Sequence, residues 1–127
     1  MVGAGVYGAT KAAVNTLSES LRVESQGKIK VTIIKPTGVP GTGLSAGIIN
    51  PEAIVGILGQ NTADYLQKMT AHMAGELPTQ KTDPGSIEYY ALDPDYVADQ
   101  ILYTINQPWG VSVGDLTVRA SGEGYIL

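Results

Sequence analysis

The apolar positions along this chain change their period several times, and each change marks an element. Ala13, Val14, Leu17 and Leu21 recur at helical spacing, with Asn15, Ser18, Glu19 and Arg22 on other faces. The spacing predicts a helix over 7–26, closed by Gly27 as a left-handed cap. Ile29 to Ile34 is then a short, nearly continuous apolar run rich in β-branched residues. Such a run suits a parallel strand buried on both faces, and a strand is expected over 29–35. Pro36 ends it, and a loop with Gly38, Pro40, Gly41 and Gly43 follows.

The middle of the chain is less regular. Asn50-Pro51-Glu52 reads as a helix start, with Asn50 as cap and Pro51 at the first position. Ile54, Val55 and Leu58 give that helix one apolar face. A second helix is expected from Thr62 to Met73, with Tyr65, Leu66, Met69 and Met73 on one side. Residues 75–84 carry Pro78, Asp83 and Pro84 and read as an exposed loop. Asp93-Pro94 repeats the cap-then-proline pattern ahead of Ile101, Leu102 and Ile105. Asp93, Asp95 and Asp99 then stand near a helix N-terminus, where the dipole favours negative charge. Trp109, after Pro108, is expected to pack the link into a last strand running from Val111 to Arg119. The fold class expected is α/β.

Composition narrows the function classes. The chain has 127 residues, one domain's worth, and 43% of them are hydrophobic. Two strands and three or more helices would leave apolar faces uncovered. A homo-oligomer, or else a poorly packed monomer, is therefore expected, with helix 7–26 and the helix after Asp93 as contact surfaces. A net charge of −4 argues against nucleic acid or an anionic membrane as partner. Lys28, Lys30 and Lys35 are the only local basic concentration and are expected to be solvated strand ends. There is no cysteine, which removes disulfides and thiol catalysis. No apolar run is long enough to span a bilayer, no basic-then-apolar leader is visible, and a cytoplasmic location is the expectation. His72 is the only histidine, with no second histidine or cysteine to share a metal, so it reads as a surface or lid residue. The three aspartates lack the EF-hand order and read as capping residues.

The candidate chemistry lies near the start. Tyr7 and Lys11 stand four apart, on one face of a helix. A cation held beside a tyrosine favours the phenolate, which suits the pair to moving a proton near neutral pH. Carbonyl reduction or alcohol oxidation by a nicotinamide needs such a group. The surrounding residues make the pair informative. The string Tyr7-Gly8-Ala9-Thr10-Lys11-Ala12-Ala13, then Leu17, Leu21-Arg22-Val23-Glu24, Ile29 to Ile34, Pro36 and Thr42, resembles the short-chain dehydrogenase/reductase family. Asp93-Pro94-Asp95-Tyr96-Val97-Ala98 with Ile101, Leu102 and Ile105 resembles its last large helix, and Val111 to Arg119 its last strand.

The resemblance implies the C-terminal half of a Rossmann-like, doubly wound parallel sheet. It implies an oxidoreductase using NAD or NADP on a small carbonyl or alcohol substrate. Tyr7 would be the general acid/base. Lys11 would hydrogen-bond the nicotinamide ribose and favour the Tyr7 phenolate. Pro36, Thr37, Gly38 and Thr42 would lie near the nicotinamide. Pro36-Thr37-Gly38 is one residue longer than the family's Pro-Gly, which leaves both threonines as candidates for the carboxamide. Residues 45–92 would form a lid, with Tyr65, Met69 and Met73 either lining an apolar pocket or serving as core. Helix 7–26 and the helix after Asp93 would form a dimer interface.

In that family the glycine-rich phosphate loop, the first strands and the catalytic serine precede the tyrosine, whereas six residues precede Tyr7. Gly3, Gly5 and Gly8 spell G-x-G-x-x-G, but no strand precedes them and Lys35-Pro36 stands where an acidic residue is needed. These glycines read instead as a flexible approach to the helix. The expectation is a truncated enzyme, inactive alone. The alternative is a non-catalytic association module that keeps the tyrosine-lysine pair as a remnant.

Overall fold

The computed structural model describes residues 4–44, 47–50 and 52–124. Chain order is helix α1 (Gly5–Glu24), strand β1 (Ile33–Pro36), helix α2 (Glu52–Leu58), a 3-10 turn, helix α3 (Thr62–Ala74), a one-turn helix α4 (Thr79–Thr82), helix α5 (Pro94–Ile105) and strand β2 (Asp115–Val118). The two strands pair in parallel, Ile33 opposite Asp115 through to Pro36 opposite Val118. The α/β class is therefore present, and a two-stranded parallel sheet is compatible with half of a Rossmann-like layer.

Both strands are shorter than their apolar runs. Residues 29–32 have no ladder partner because the register sets Ile33 against the first residue of β2. Three bonds extend the pairing beyond its ends. The Ile33 amide donates to the Gly114 carbonyl at 3.0 Å, and the Thr37 amide to the Val118 carbonyl at 3.1 Å. The Thr32 hydroxyl donates to the Val113 carbonyl at 2.8 Å. Pro36 has no N–H to give and stands last in β1. Lys35 pairs with Asp115 across the ladder.

Helix α1 begins two residues earlier and ends two earlier than its apolar stripe suggests. Ser25 closes it, its amide donating to the Leu21 carbonyl at 2.9 Å and its hydroxyl to the same oxygen at 2.6 Å. Gly27 does take a left-handed conformation, φ 79°, but in the turn beyond that cap. Gly5 and Gly8 are helical rather than a flexible approach, and Gly3 lies outside the described residues. Asn50 caps α2 as expected, its Oδ1 accepting from the Glu52 amide at 3.0 Å, while Pro51 lies outside the described residues. Gly75 closes α3 at φ 71°. The expected loop over 75–84 contains α4, entered through Pro78 at φ −55° and pinned by the Tyr90 amide on the Lys81 carbonyl at 2.9 Å. Asp93 caps α5, its Oδ1 accepting from the Asp95 amide at 2.9 Å, with Pro94 opening the helix.

The core sits at the carboxyl end of the sheet. Tyr89, Leu92 and Ala120 are buried together, with Val39, Val97 and Val118 packed against them. The Tyr89 ring meets Tyr96 edge-on at 6.2 Å, and its hydroxyl accepts from the Asp93 amide at 3.0 Å. Burial pushes the Tyr89 phenol above its ordinary value. Helix α1, by contrast, buries none of its residues. Trp109 is 74% exposed and does not pack the link as expected. Lys30, expected to be solvated, instead donates to the Gln107 and Pro108 carbonyls at 2.8 and 2.6 Å and lies 5.5 Å from the Trp109 ring centre. Both carbonyls lie in the loop just beyond the end of α5. Among the described residues no helix is long and apolar enough to cross a membrane.

Candidate functional site

Tyr7 and Lys11 occupy successive turns at the start of α1. The Lys11 ammonium lies 5.4 Å from the Tyr7 ring centre, over the ring rather than on the hydroxyl. Tyr7 is 48% exposed, and among the described residues no group bonds its hydroxyl. The helical spacing therefore delivers a solvent-open phenol with a cation against its ring. Thr10 ties its hydroxyl to the Tyr7 carbonyl at 2.7 Å, a local bond that leaves the phenol untouched.

The second group lies at the carboxyl end of β1. In parallel α/β sheets ligands bind outside the carboxyl ends of the strands. Pro36 ends the strand, and Thr37 turns back against β2 and the chain beyond it. The Thr37 hydroxyl donates to Glu123 Oε2 at 2.5 Å, with the Val118 carbonyl at 3.3 Å. Thr42 is exposed, and its hydroxyl donates to the Val39 carbonyl at 3.0 Å. Gly41, at φ 79°, supplies the left-handed residue that this turn requires. The two threonines thus differ in kind: Thr37 is tied inward and Thr42 faces solvent. Among the described residues no hydrogen bond, ion pair or ring contact joins Tyr7 or Lys11 to the group of Pro36, Thr37, Gly38 and Thr42.

Glu123 is the residue that sequence reasoning missed. Among the described residues its Oε1 is buried without a hydrogen-bond partner. Burial holds its carboxyl above the usual range, partly offset by the Thr37 hydroxyl, the Arg119 charge and the Gly38 and Ala120 amides. The only signal was an acidic residue between two glycines, Gly122-Glu123-Gly124, just past the last strand.

The expected lid residues divide. Tyr65 and Met69 are half-buried on α3, while Leu66 and Met73 are exposed. Tyr65 packs edge-on against Tyr90 at 6.5 Å. His72 is half-buried in the last turn of α3. No group of three His, Cys, Asp or Glu among the described residues could hold a metal ion. An open cleft of about 480 Å³ runs between α5 and β2, lined by Tyr89, Leu92, Tyr96, Gln100 and Arg119 among others. None of Tyr7, Lys11, Pro36, Thr37, Gly38 or Thr42 lines it.

No family model and no solved structure matches the chain. Curated proteins do. An uncharacterized oxidoreductase of Listeria monocytogenes is 33% identical over 123 residues, which is 97% of this chain and 40% of that protein. One of Listeria innocua is 32% identical over the same length and shares. One of Staphylococcus aureus is 29% identical over 114 residues, 90% of this chain and 34% of that protein. The chain thus spans at most about 40% of the length of these relatives, and it is similar to a part of proteins named as oxidoreductases.

Proposed function

We propose that the chain is the C-terminal half of an NAD(P)-dependent oxidoreductase of the short-chain dehydrogenase/reductase type, acting on a small carbonyl or alcohol. The observation that carries this reading is the solvent-open Tyr7 phenol with the Lys11 ammonium against its ring. The loop of Pro36 to Thr42 at the carboxyl end of a parallel strand supports it, as do the names of the relatives. The donor set fits a nicotinamide nucleoside: a hydroxyl and an ammonium on α1, and an exposed threonine hydroxyl with backbone polar groups in the loop. NAD(P), when bound, supplies or takes the hydride. Tyr7 Oη gives a proton to the carbonyl oxygen during reduction, or takes one from the alcohol during oxidation. Lys11 would stabilise the phenolate so formed and would hold the ribose hydroxyls of a bound nucleotide. Thr42 is the outward acceptor in the loop, and Pro36, Thr37 and Gly38 set the loop's path. A cytoplasmic location accords with a chain that uses no cysteine.

One observation favours the association module as the second reading. Helix α1 exposes Val6, Val14 and Leu17 and buries none of its residues. Calorimetric titration with NADH and NADPH separates the two. Saturable binding is expected, unchanged by Tyr7→Phe and weakened about tenfold by Lys11→Ala, the worth of one hydrogen bond from a charged group. Absence of binding at millimolar cofactor overturns the enzyme reading for this chain. Assembly in sedimentation, indifferent to Tyr7→Phe, would then carry the second.

A further inference from the structure

We infer that Glu123 is a positioning residue for the loop after β1. Its carboxylate fixes Thr37, and the turn that carries it ties this loop to the segments ahead of α3 and α5. The inference rests on the proposed function only where it assigns that loop to the nicotinamide.

The bond itself is the first observation. Thr37 and Glu123 lie 86 residues apart in sequence, yet the hydroxyl reaches Oε2 at 2.5 Å. That length is at the short end for a hydroxyl on a charged acceptor. A hydroxyl has one proton, so the Val118 carbonyl at 3.3 Å is the lesser partner.

The turn is the second observation. The Gly122 amide donates to the Tyr89 carbonyl at 2.8 Å, and the Asn61 side chain donates to the Gly124 carbonyl at 2.9 Å. Ala120 is buried against Tyr89 and Leu92, with Val39 packed on the same cluster. Gly122 has no room for a side chain, since a Cβ there would meet the Glu88 carbonyl oxygen at 2.3 Å. Residues 37–39, 61 and 89 therefore meet on one turn. The first set lies in the proposed nicotinamide loop, and the other two lie in the segment expected to cover the substrate.

The third observation is what the carboxylate costs. Glu123 Oε1 is buried and has no hydrogen-bond partner among the described residues, which is unfavourable for a carboxylate oxygen. Packing alone would be served better by an apolar side chain. A carboxylate at this place makes sense as the acceptor that holds Thr37.

Amide hydrogen exchange of the cofactor-free chain tests the tie. Glu123→Ala is expected to speed exchange at the Thr37 and Gly122 amides about tenfold or more, while the middle of α5 stays as in the wild type. Thr37→Val keeps the volume and removes the hydroxyl, and should loosen Thr37 in the same way. Glu123→Gln keeps an acceptor oxygen and should restore much of the protection. Unchanged exchange at Thr37 in Glu123→Ala and Thr37→Val overturns the inference, as does an equal rise throughout α5 in both variants. Should Glu123→Ala fail to fold, Thr37→Val decides alone. Calorimetry with NADH and NADPH reads the functional consequence, a weakening of about tenfold in Thr37→Val. A wild-type chain that binds neither would sink the nicotinamide assignment, and the exchange result would still decide the tie.

Discussion

Helix α1 and the core around Tyr89 both contain apolar side chains and use them differently. In α1, Val14, Leu17 and Leu21 fall at helical spacing, yet all three are about half exposed or more, and no residue of the helix is buried. In α5, Val97 packs against Tyr89, Leu92 and Ala120, and the helix has β2 beside it. Both stripes are amphipathic by spacing, and α5 still exposes Ile101, Leu102 and Ile105, so its apolar packing on the Tyr89 cluster is confined to Val97. What separates them is the presence of a facing layer, because tertiary packing supplies most of the stability of a helix in a protein. The residues proposed for proton transfer thus stand on an element that buries none of its own residues. The scaffold lies at the other end of the chain.

The largest effect should come from hollowing the packed region. Leu92 is 4% exposed, inside the cluster with Tyr89 and Ala120. Leu92→Ala should destabilise the chain by about 2–5 kcal/mol, the range for truncating a buried leucine. Urea denaturation followed by far-ultraviolet circular dichroism reads this as a lower midpoint. A change under about 0.5 kcal/mol, the size typical of exposed positions, would mean that this region is no more a core than α1 is.

The sequence made the elements legible wherever a local signal was sufficient. Asn50 and Asp93 cap the helices they precede, and Gly75 closes α3. The Tyr7–Lys11 pairing followed from helical spacing alone. Long-range partners were not legible. Nothing local to Lys30 says that its ammonium will meet carbonyls 77 and 78 residues away. Nothing local to Glu123 indicates Thr37, 86 residues away. The cluster of Tyr89, Leu92 and Ala120 lacks any helical or strand period, since its members come from a loop and a turn. Strand length was misjudged for the same reason. A strand's ladder is set by its partner's register, and residues 29–32 have no ladder partner among the described residues.

A smaller effect should appear with pH at the packed end. Burial raises the Glu123 carboxyl above its ordinary value in the folded chain. Between the ordinary and the raised value the folded state therefore binds more protons than the unfolded state. Stability then falls as pH rises through that window and is flat, for this group, on either side. The Thr37 bond and the Arg119 charge oppose burial, so the slope is shallow. Glu123→Gln should remove it. Urea midpoints measured at several mildly acidic pH values would show parallel curves for the two proteins if Glu123 titrates normally.

The smallest effect is expected on α1, and its smallness is the informative part. Leu17 is 68% exposed, so Leu17→Gln in the dilute chain should change stability by no more than about 0.5 kcal/mol. Glutamine is nearly as good a helix former as leucine, which keeps propensity from masking the result. A second layer over α1 would change the arithmetic. Covering a leucine side chain removes apolar area worth about 1.5–3 kcal/mol when burial is complete. The same substitution should then cost more at high protein concentration, or with a longer chain that covers the helix, than in the dilute chain. An equal and small cost under all three conditions would mean that the apolar stripe of α1 is never packed. The contrast between the two regions would then be a lasting property of the fold rather than a matter of what covers α1.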